Sequence, residues 1–239
     1  MMCKILLLYK PNKMKRLIIM SLITSCCMIK LSAHDDIKEK EQLKMSGQAV
    51  LMSLTNSNLT GGFFSQTPAV RGLITASKGG FRFTAGRNSD LADPKSNANF
   101  CMFFPSYTKT FGNFSATLAT ELYLFDQNIA MDFIVPALTL TRKGVINIEL
   151  LALYGYSFQG SNFDNLITQR LAISKEYAGY TFKLTGWNVC FGTHRQALAL
   201  EVSKKLTEKI HLFVSGNINH NYDTDITQKF GAVRLAYSF

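Results

Sequence analysis

The stretch Lys229-Phe230-Gly231-Ala232-Val233-Arg234-Leu235-Ala236-Tyr237-Ser238-Phe239 limits what this chain can fold into more than any other. Read with period two, Val233, Leu235, Tyr237 and Phe239 share one face, while Ala232, Arg234, Ala236 and Ser238 share the other. A strand that is wholly apolar on one side and small or charged on the other separates two media. Composition is compatible with this and does not decide it. Apolar residues make up 47% of the chain and charged residues 18%, with mean hydropathy near zero. Membrane-spanning helices would raise that hydropathy far higher and a disordered chain would lower it.

The same two-faced pattern recurs upstream. Phe114, Ala116, Leu118, Leu122 and Leu124 oppose Ser115, Thr117, Ala119 and Glu121, and Ile146, Ile148, Leu150 and Tyr154 oppose Asn147 and Glu149. Tyr180, Phe182 and Leu184 oppose Thr181, Lys183 and Thr185, and Leu198, Leu200 and Val202 oppose Ala197, Ala199, Glu201 and Ser203. Ile210, Leu212, Val214 and Ile218 oppose His211, Ser215 and Asn217. Twelve such segments are expected, at 48–54, 69–77, 80–87, 99–107, 113–124, 128–140, 145–157, 165–175, 178–191, 195–204, 209–219 and 229–239. A soluble β-sandwich gives the same alternation with its apolar face inward, so the periodicity needs a second signal to choose between them.

The beginning of the sequence supplies it. Met14-Lys15-Arg16 precedes an apolar run over Leu17–Ile29, and Lys30-Leu31-Ser32-Ala33 leads to His34-Asp35-Asp36. A basic start, about a dozen apolar residues and a small residue form a secretory signal, and the run falls short of the roughly 20 residues a helix needs to cross a bilayer. Residues 1–33 therefore read as a signal segment with Met14 as the expected initiator, 34–47 as a charged lead-in and 48–239 as a single strand-built domain. Two processing routes compete: cleavage after Ala33, which is favoured, and lipidation of Cys26 in Ile23-Thr24-Ser25-Cys26. Cleavage after Ala33 removes six Lys and Arg and leaves 20 basic against 16 acidic side chains, a net of +4 rather than +10. Most of the support for a nucleic-acid partner disappears with that segment. Only Cys101 and Cys190 remain, too few and too far apart for a disulfide scaffold or zinc spacing.

The terminal strand, with its alternating hydrophobics and final Phe239, resembles the last strand of Gram-negative outer-membrane β-barrel proteins. In that family this ending is read by the barrel-insertion machinery, so the resemblance implies such a partner, a lipid environment, and an insertion signal at Val233, Leu235, Tyr237 and Phe239. The expected fold is all-β: a closed transmembrane antiparallel barrel of about twelve strands, with ten or eight as alternatives. Closure follows because an open sheet edge in lipid leaves backbone groups unpaired. With both termini periplasmic, the inner connections are expected at Lys78-Gly79, 108–112, 141–144, Glu176-Tyr177 and 205–208. The outer ones fall at 55–68, 88–98, 125–127, 158–164, 192–194 and 220–228, mostly longer, as outer-membrane barrels have them. Within 55–68, Gly61-Gly62-Phe63-Phe64 also reads as an extension of a strand.

The inward faces define the candidate site. Arg82, Arg170, Lys183 and Arg234 fall there with Glu121, Asp132, Glu149 and Glu201. These eight either line a water-filled pore whose cations guide anions, or pair across the interior and fill it. The architecture resembles monomeric twelve-stranded porins for acidic sugars and nucleoside channels of similar size, without a shared residue motif. The leading expectation is a narrow passive channel for small solutes, anions among the candidates, with no cofactor. The alternative is a closed structural or partner-binding barrel, an accessory subunit. A barrel lipid hydrolase is less favoured, because His211 and Ser215, four apart on one strand face, lie about 13 Å from each other, beyond the reach of a base to its nucleophile. Asp90 with Asp93, and Asp223 and Asp225 beside Asn219 and Asn221, could ligate calcium, but such loop pairs are ordinarily only solvated. Phe103, Phe104, Tyr107, Tyr154, Tyr156 and Phe158 are expected in interfacial girdles.

Overall fold

The computed structural model describes residues 42–239 except 58, 128–131, 158–165 and 191–193. The expected signal segment at 1–33 and most of the expected lead-in at 34–47 lie outside these. Among the described residues fourteen strands follow one another: β1 Lys44–Met52, β2 Thr55–Asn56, β3 Phe63–Ser65, β4 Ala69–Lys78, β5 Phe81–Asp90, β6 Phe100–Phe111, β7 Phe114–Phe125, β8 Phe133–Arg142, β9 Asn147–Ser157, β10 Leu166–Tyr177, β11 Tyr180–Cys190, β12 His194–Lys205, β13 Ile210–Asn221 and β14 Ile226–Ser238. Twelve of them form one closed antiparallel barrel in which each strand pairs with its chain neighbour and β14 returns to β1, while β2 and β3 form a separate hairpin. All twelve expected segments are barrel strands, with ends shifted by a few residues. β14 starts at Ile226 because Ile226, Thr227 and Gln228 pair with Asn221, His220 and Asn219. β1 starts at Lys44, paired with Ser77.

Register fixes the two faces. Leu150, Leu184, Leu200, Val214 and Leu235 point outward, 41–54% exposed, and their sequence neighbours point into the lumen. Lipid outside and a packed or wet interior demand this inversion of the soluble pattern. The inner turns are tight. Ala178 and Gly179 both take positive φ, 50° and 78°, as the two central residues of a mirror-image hairpin turn. The expected 108–112 connection shortens to Gly112-Asn113, because Thr108 joins the ladder opposite Thr117 and the two hydroxyls hydrogen-bond at 2.8 Å.

The seam between β1 and β14 depends on one small residue. Gly47 and Phe239 exchange backbone hydrogen bonds of 2.8 and 3.0 Å. A Cβ on Gly47 would collide with the Phe239 ring, which lies across it. At this inner rim the outward aromatics Phe111, Phe114, Tyr177, Tyr180, Tyr237 and Phe239 form a girdle. Lys109, Arg142 and Lys204 sit over Phe111, Phe114 and Tyr180 at 4.6–5.8 Å. Tyr154 and Tyr156 face outward near the opposite rim. Phe104 differs from its expected place: it faces the lumen, 5.6 Å from Tyr123, and Phe158 lies outside the described residues.

Candidate functional site

The lumen is built from two unlike walls. Along β6 to β8 the inward row near the outer rim is Phe100, Met102, Tyr123, Phe125, Phe133 and Val135, continued on β9 and β10 by Leu151, Leu153 and Leu166. Their rings pack tightly. Tyr123 stacks on Phe133 at 4.7 Å between centroids, and Phe100 meets Phe125 at 5.2 Å. Across the lumen, β10 to β14 present Arg170, Trp187, Lys183, Glu201, Ser215, Asn217 and Arg234.

The connection between β1 and β4 bridges these walls. Rather than extending a strand outward, it turns into the barrel as the β2–β3 hairpin. Ser57 N–H donates to Gly62 O at 2.9 Å and Gly61 N–H to Ser57 O at 3.0 Å, closing a tight turn. Gly61 has φ +67°, and a Cβ there would press against the Trp187 ring and Ala197, so the turn and the close approach both require glycine. On one side Phe63 meets Phe230 edge-on at 5.2 Å, and on the other Phe64 packs against Phe100 and Phe125 at 5.4 and 6.0 Å. Leu59 is buried in the aromatic cluster. The base of the segment is latched by Asp90, whose carboxylate accepts from Ser65 Oγ at 2.8 Å, from Thr67 Oγ1, and from the Ala92 and Asp93 N–H groups at 2.9 and 3.0 Å. Asp90 is thus committed to loop structure. No group of three metal-ligating side chains occurs among the described residues.

Below the hairpin a cavity of about 330 Å³ remains, lined by Ser57, Gly61, Gly62, Glu149, Arg170, Lys183, Thr185, Trp187, Ala199, Glu201, Phe213, Ser215, Asn217 and Arg234. Arg170 Nη2 bonds Glu149 Oε1 at 2.5 Å from the adjacent strand. Arg234 reaches over β13 to Glu201 on β12 and lies 4.9 Å from the Phe213 ring. Lys183 stands opposite Glu201 in register, but that carboxylate is taken by Arg234, and Lys183 has no ion-pair partner among the described residues. Two compensated pairs and one uncompensated ammonium leave the cavity net positive.

The structure brings Glu149, Arg170, Lys183, Glu201 and Arg234 together around this cavity. Arg82 also faces inward, but at the inner rim, where Lys44, Ser77 and Arg82 occupy one row across β1, β4 and β5 at the edge of a wider vestibule. Glu121 faces inward among the aromatics and accepts from Tyr123 Oη at 2.7 Å. Asp132 does not belong to the lumen row. It precedes β8 at the outer rim and accepts the Phe125 N–H at 2.7 Å, because Phe133, one residue on, takes the inward position. Burial holds its carboxyl above the usual carboxylate range, and the Phe125 hydrogen bond opposes that shift. Val233, Leu235, Tyr237 and Phe239 share the outward face. Arg71, outside the eight expected residues, also faces the lumen from β4, with Nε donating to Asn88 Oδ1 at 3.1 Å. Its alternation with Ala69 and Leu73 against Val70 and Ile74 carries the signal. His211 and Ser215 both face inward but share no hydrogen bond.

A closed barrel of twelve antiparallel strands, narrowed by an inward-folded segment over a charged cavity, has a porin-type fold. Solved structures bear this out. The chain is similar to a KdgM porin, with TM-score 0.58 and 13% identity over 82% of this chain and 98% of that one. A KdgM porin in complex with disordered oligogalacturonate gives TM-score 0.57 with the same identity and coverage. A NanC porin gives TM-score 0.50 and 12% identity over 82% of this chain and 99% of that one. At these identities the likeness is one of fold. No family model and no curated protein matches the sequence.

Proposed function

We propose that the protein is an outer-membrane channel through which small solutes, anions in preference, pass by diffusion. The observation that carries this reading is the polar cavity inside the barrel, where Lys183, without an ion-pair partner among the described residues, stands beside the Arg170–Glu149 and Arg234–Glu201 pairs. Charges in a narrow, partly desolvated passage act at short range and are weakly screened, so a single excess cation biases which ions enter. A structure of the same fold in complex with oligogalacturonate, a polyanion, agrees with that direction. The insertion role of Val233, Leu235, Tyr237 and Phe239 belongs to the same proposal: their shared outward face on and just past β14 suits a strand that the insertion machinery reads.

The test is the reversal potential of the refolded mature barrel in a planar bilayer under a potassium chloride gradient. Chloride preference that weakens in Lys183→Gln supports the proposal, and cation preference or an unchanged reversal potential in the variant contradicts it. A second reading, a closed barrel serving as a structural or partner-binding subunit, is favoured by one observation: the aromatic cluster and the β2–β3 hairpin together fill much of the outer half of the lumen. A folded barrel that never conducts would select it.

A further inference from the structure

The outer surface of β10 to β13 departs from the lipid-facing pattern. Gln169, Asn188, Gln196 and His220 are register partners in one row across four strands, and all point outward. On β6 to β9 the second outward residue from the outer rim is Phe103, Leu122, Pro136 or Tyr154. The polar row is organised rather than scattered. Asn188 Nδ2 donates to Gln169 Oε1 at 3.5 Å and its Oδ1 meets His194 Nε2 at 2.9 Å, while Tyr222 Oη donates to Gln196 Oε1 at 2.8 Å. Tyr222 stacks on His194 at 5.0 Å and meets His220 edge-on at 4.5 Å.

Directly below this row the wall is hollow. Gly186, also outward, has no side chain between Leu171 and Leu198, its partners on β10 and β12. A groove of about 760 Å³ opens there, floored by Gly186, walled by Leu150, Leu171, Leu198 and Ile218, and roofed by the polar row. A Cβ on Gly186 would meet nothing nearer than the Ala197 carbonyl at 4.0 Å, so the hollow is not there to admit a neighbouring residue.

We infer that this groove binds an outer-leaflet glycolipid, its acyl chain along the Gly186 floor and its sugar under the amide, imidazole and phenol groups. The chemistry selects that occupant. The outward side chains lining the roof include no Lys, Arg, Asp or Glu; two glutamines, an asparagine, a histidine and a tyrosine offer paired donors and acceptors to sugar hydroxyls. The stacked His194–Tyr222 pair adds an aromatic surface beside them. The change from apolar to hydrogen-bonding within one groove matches an amphiphile held at the interface. The inference rests on the outer-membrane reading above, but its test reads lipid retention and not conductance.

The experiment is native mass spectrometry of the refolded mature barrel in detergent with added deep-rough lipopolysaccharide, and with phosphatidylglycerol as the comparator. Retention of one lipopolysaccharide at concentrations that leave phosphatidylglycerol unbound is expected. Gly186→Leu, which fills the floor from outside, should lower retention about tenfold, and Asn188→Ala with Gln196→Ala several-fold, both with wild-type heat-modifiable migration on gels. Equal retention of phosphatidylglycerol, or undiminished lipopolysaccharide binding by both variants, would overturn the inference. So would a dimer that Gly186→Leu dissociates without any bound glycolipid. A barrel that retains the glycolipid but never conducts would contradict the channel and leave this site standing.

Discussion

The two walls of the lumen share a backbone architecture and differ in what their inward positions do. From β6 to β8 the row near the outer rim is Phe100, Met102, Tyr123, Phe125, Phe133 and Val135, a small apolar core inside a membrane barrel. From β10 to β14 the facing row is Arg170, Lys183, Trp187, Glu201, Asn217 and Arg234. The first wall is closed by its own side chains and gives the β2–β3 hairpin an apolar surface on which to dock, through Leu59 and Phe64. The second lines the remaining cavity with two ion pairs, an ammonium and polar side chains. The difference teaches how one barrel divides its lumen: one side anchors the inserted segment and the other keeps the remaining cavity polar.

The largest effect should come from breaking the apolar wall. Phe133→Ala removes a fully buried ring that contacts both Tyr123 and Phe125 and should cost about 3–5 kcal/mol, measured by urea unfolding from lipid vesicles. A loss below about 1 kcal/mol would mean the cluster is not a core. Releasing the hairpin alone is gentler on stability and stronger on transport. Leu59→Ser with Phe64→Ser should leave the barrel folded and raise single-channel conductance several-fold, because the segment loses its anchor while the twelve-stranded frame is untouched.

On the polar wall the effects are smaller and signed. One unit charge at about 4 Å is worth roughly 1 kcal/mol even in bulk water, so Lys183→Gln should reduce anion-over-cation permeability up to about fivefold. Glu201→Gln, which leaves Arg234 uncompensated, should raise it. Both shifts should shrink in molar salt, and shifts of the same sign in the two variants would contradict the charge account.

The smallest effect is at the outer rim. The raised Asp132 carboxyl binds its proton more tightly in the folded state, so its ionisation penalty is present above the folded value and vanishes below the ordinary carboxylate range. Asp132→Asn keeps an acceptor for the Phe125 N–H, and should slightly exceed wild-type stability at neutral pH and match it in acid. The reverse order, read from melting curves at pH 7 and pH 3, would refute the burial argument.

How much of this was legible in the sequence follows from the range of the interactions. Strand faces are local: Leu198, Leu200 and Val202 alternate with Ala197, Ala199 and Glu201 within a few residues, so the twelve segments and the inward placing of Arg170, Lys183 and Arg234 could be read directly. The pairing was not local. Arg234 crosses a whole strand to reach Glu201, and register alone would have given that carboxylate to Lys183. The hairpin was least legible, since Gly61-Gly62-Phe63-Phe64 is equally good strand sequence. Its destination depends on Phe100, Trp187 and Phe230, which only barrel closure brings within reach. Asp132 misled because one residue decides inward or outward, and the strand begins just after it.

The central claim, a polar conduit narrowed by an inward-docked segment, is tested most directly by comparing single-channel conductance of the refolded barrel with that of the Leu59→Ser, Phe64→Ser variant. Discrete small steps in the wild type and clearly larger ones in the variant, both favouring chloride, are the predicted result. Identical conductance in the two, or none in either from correctly folded protein, would contradict it.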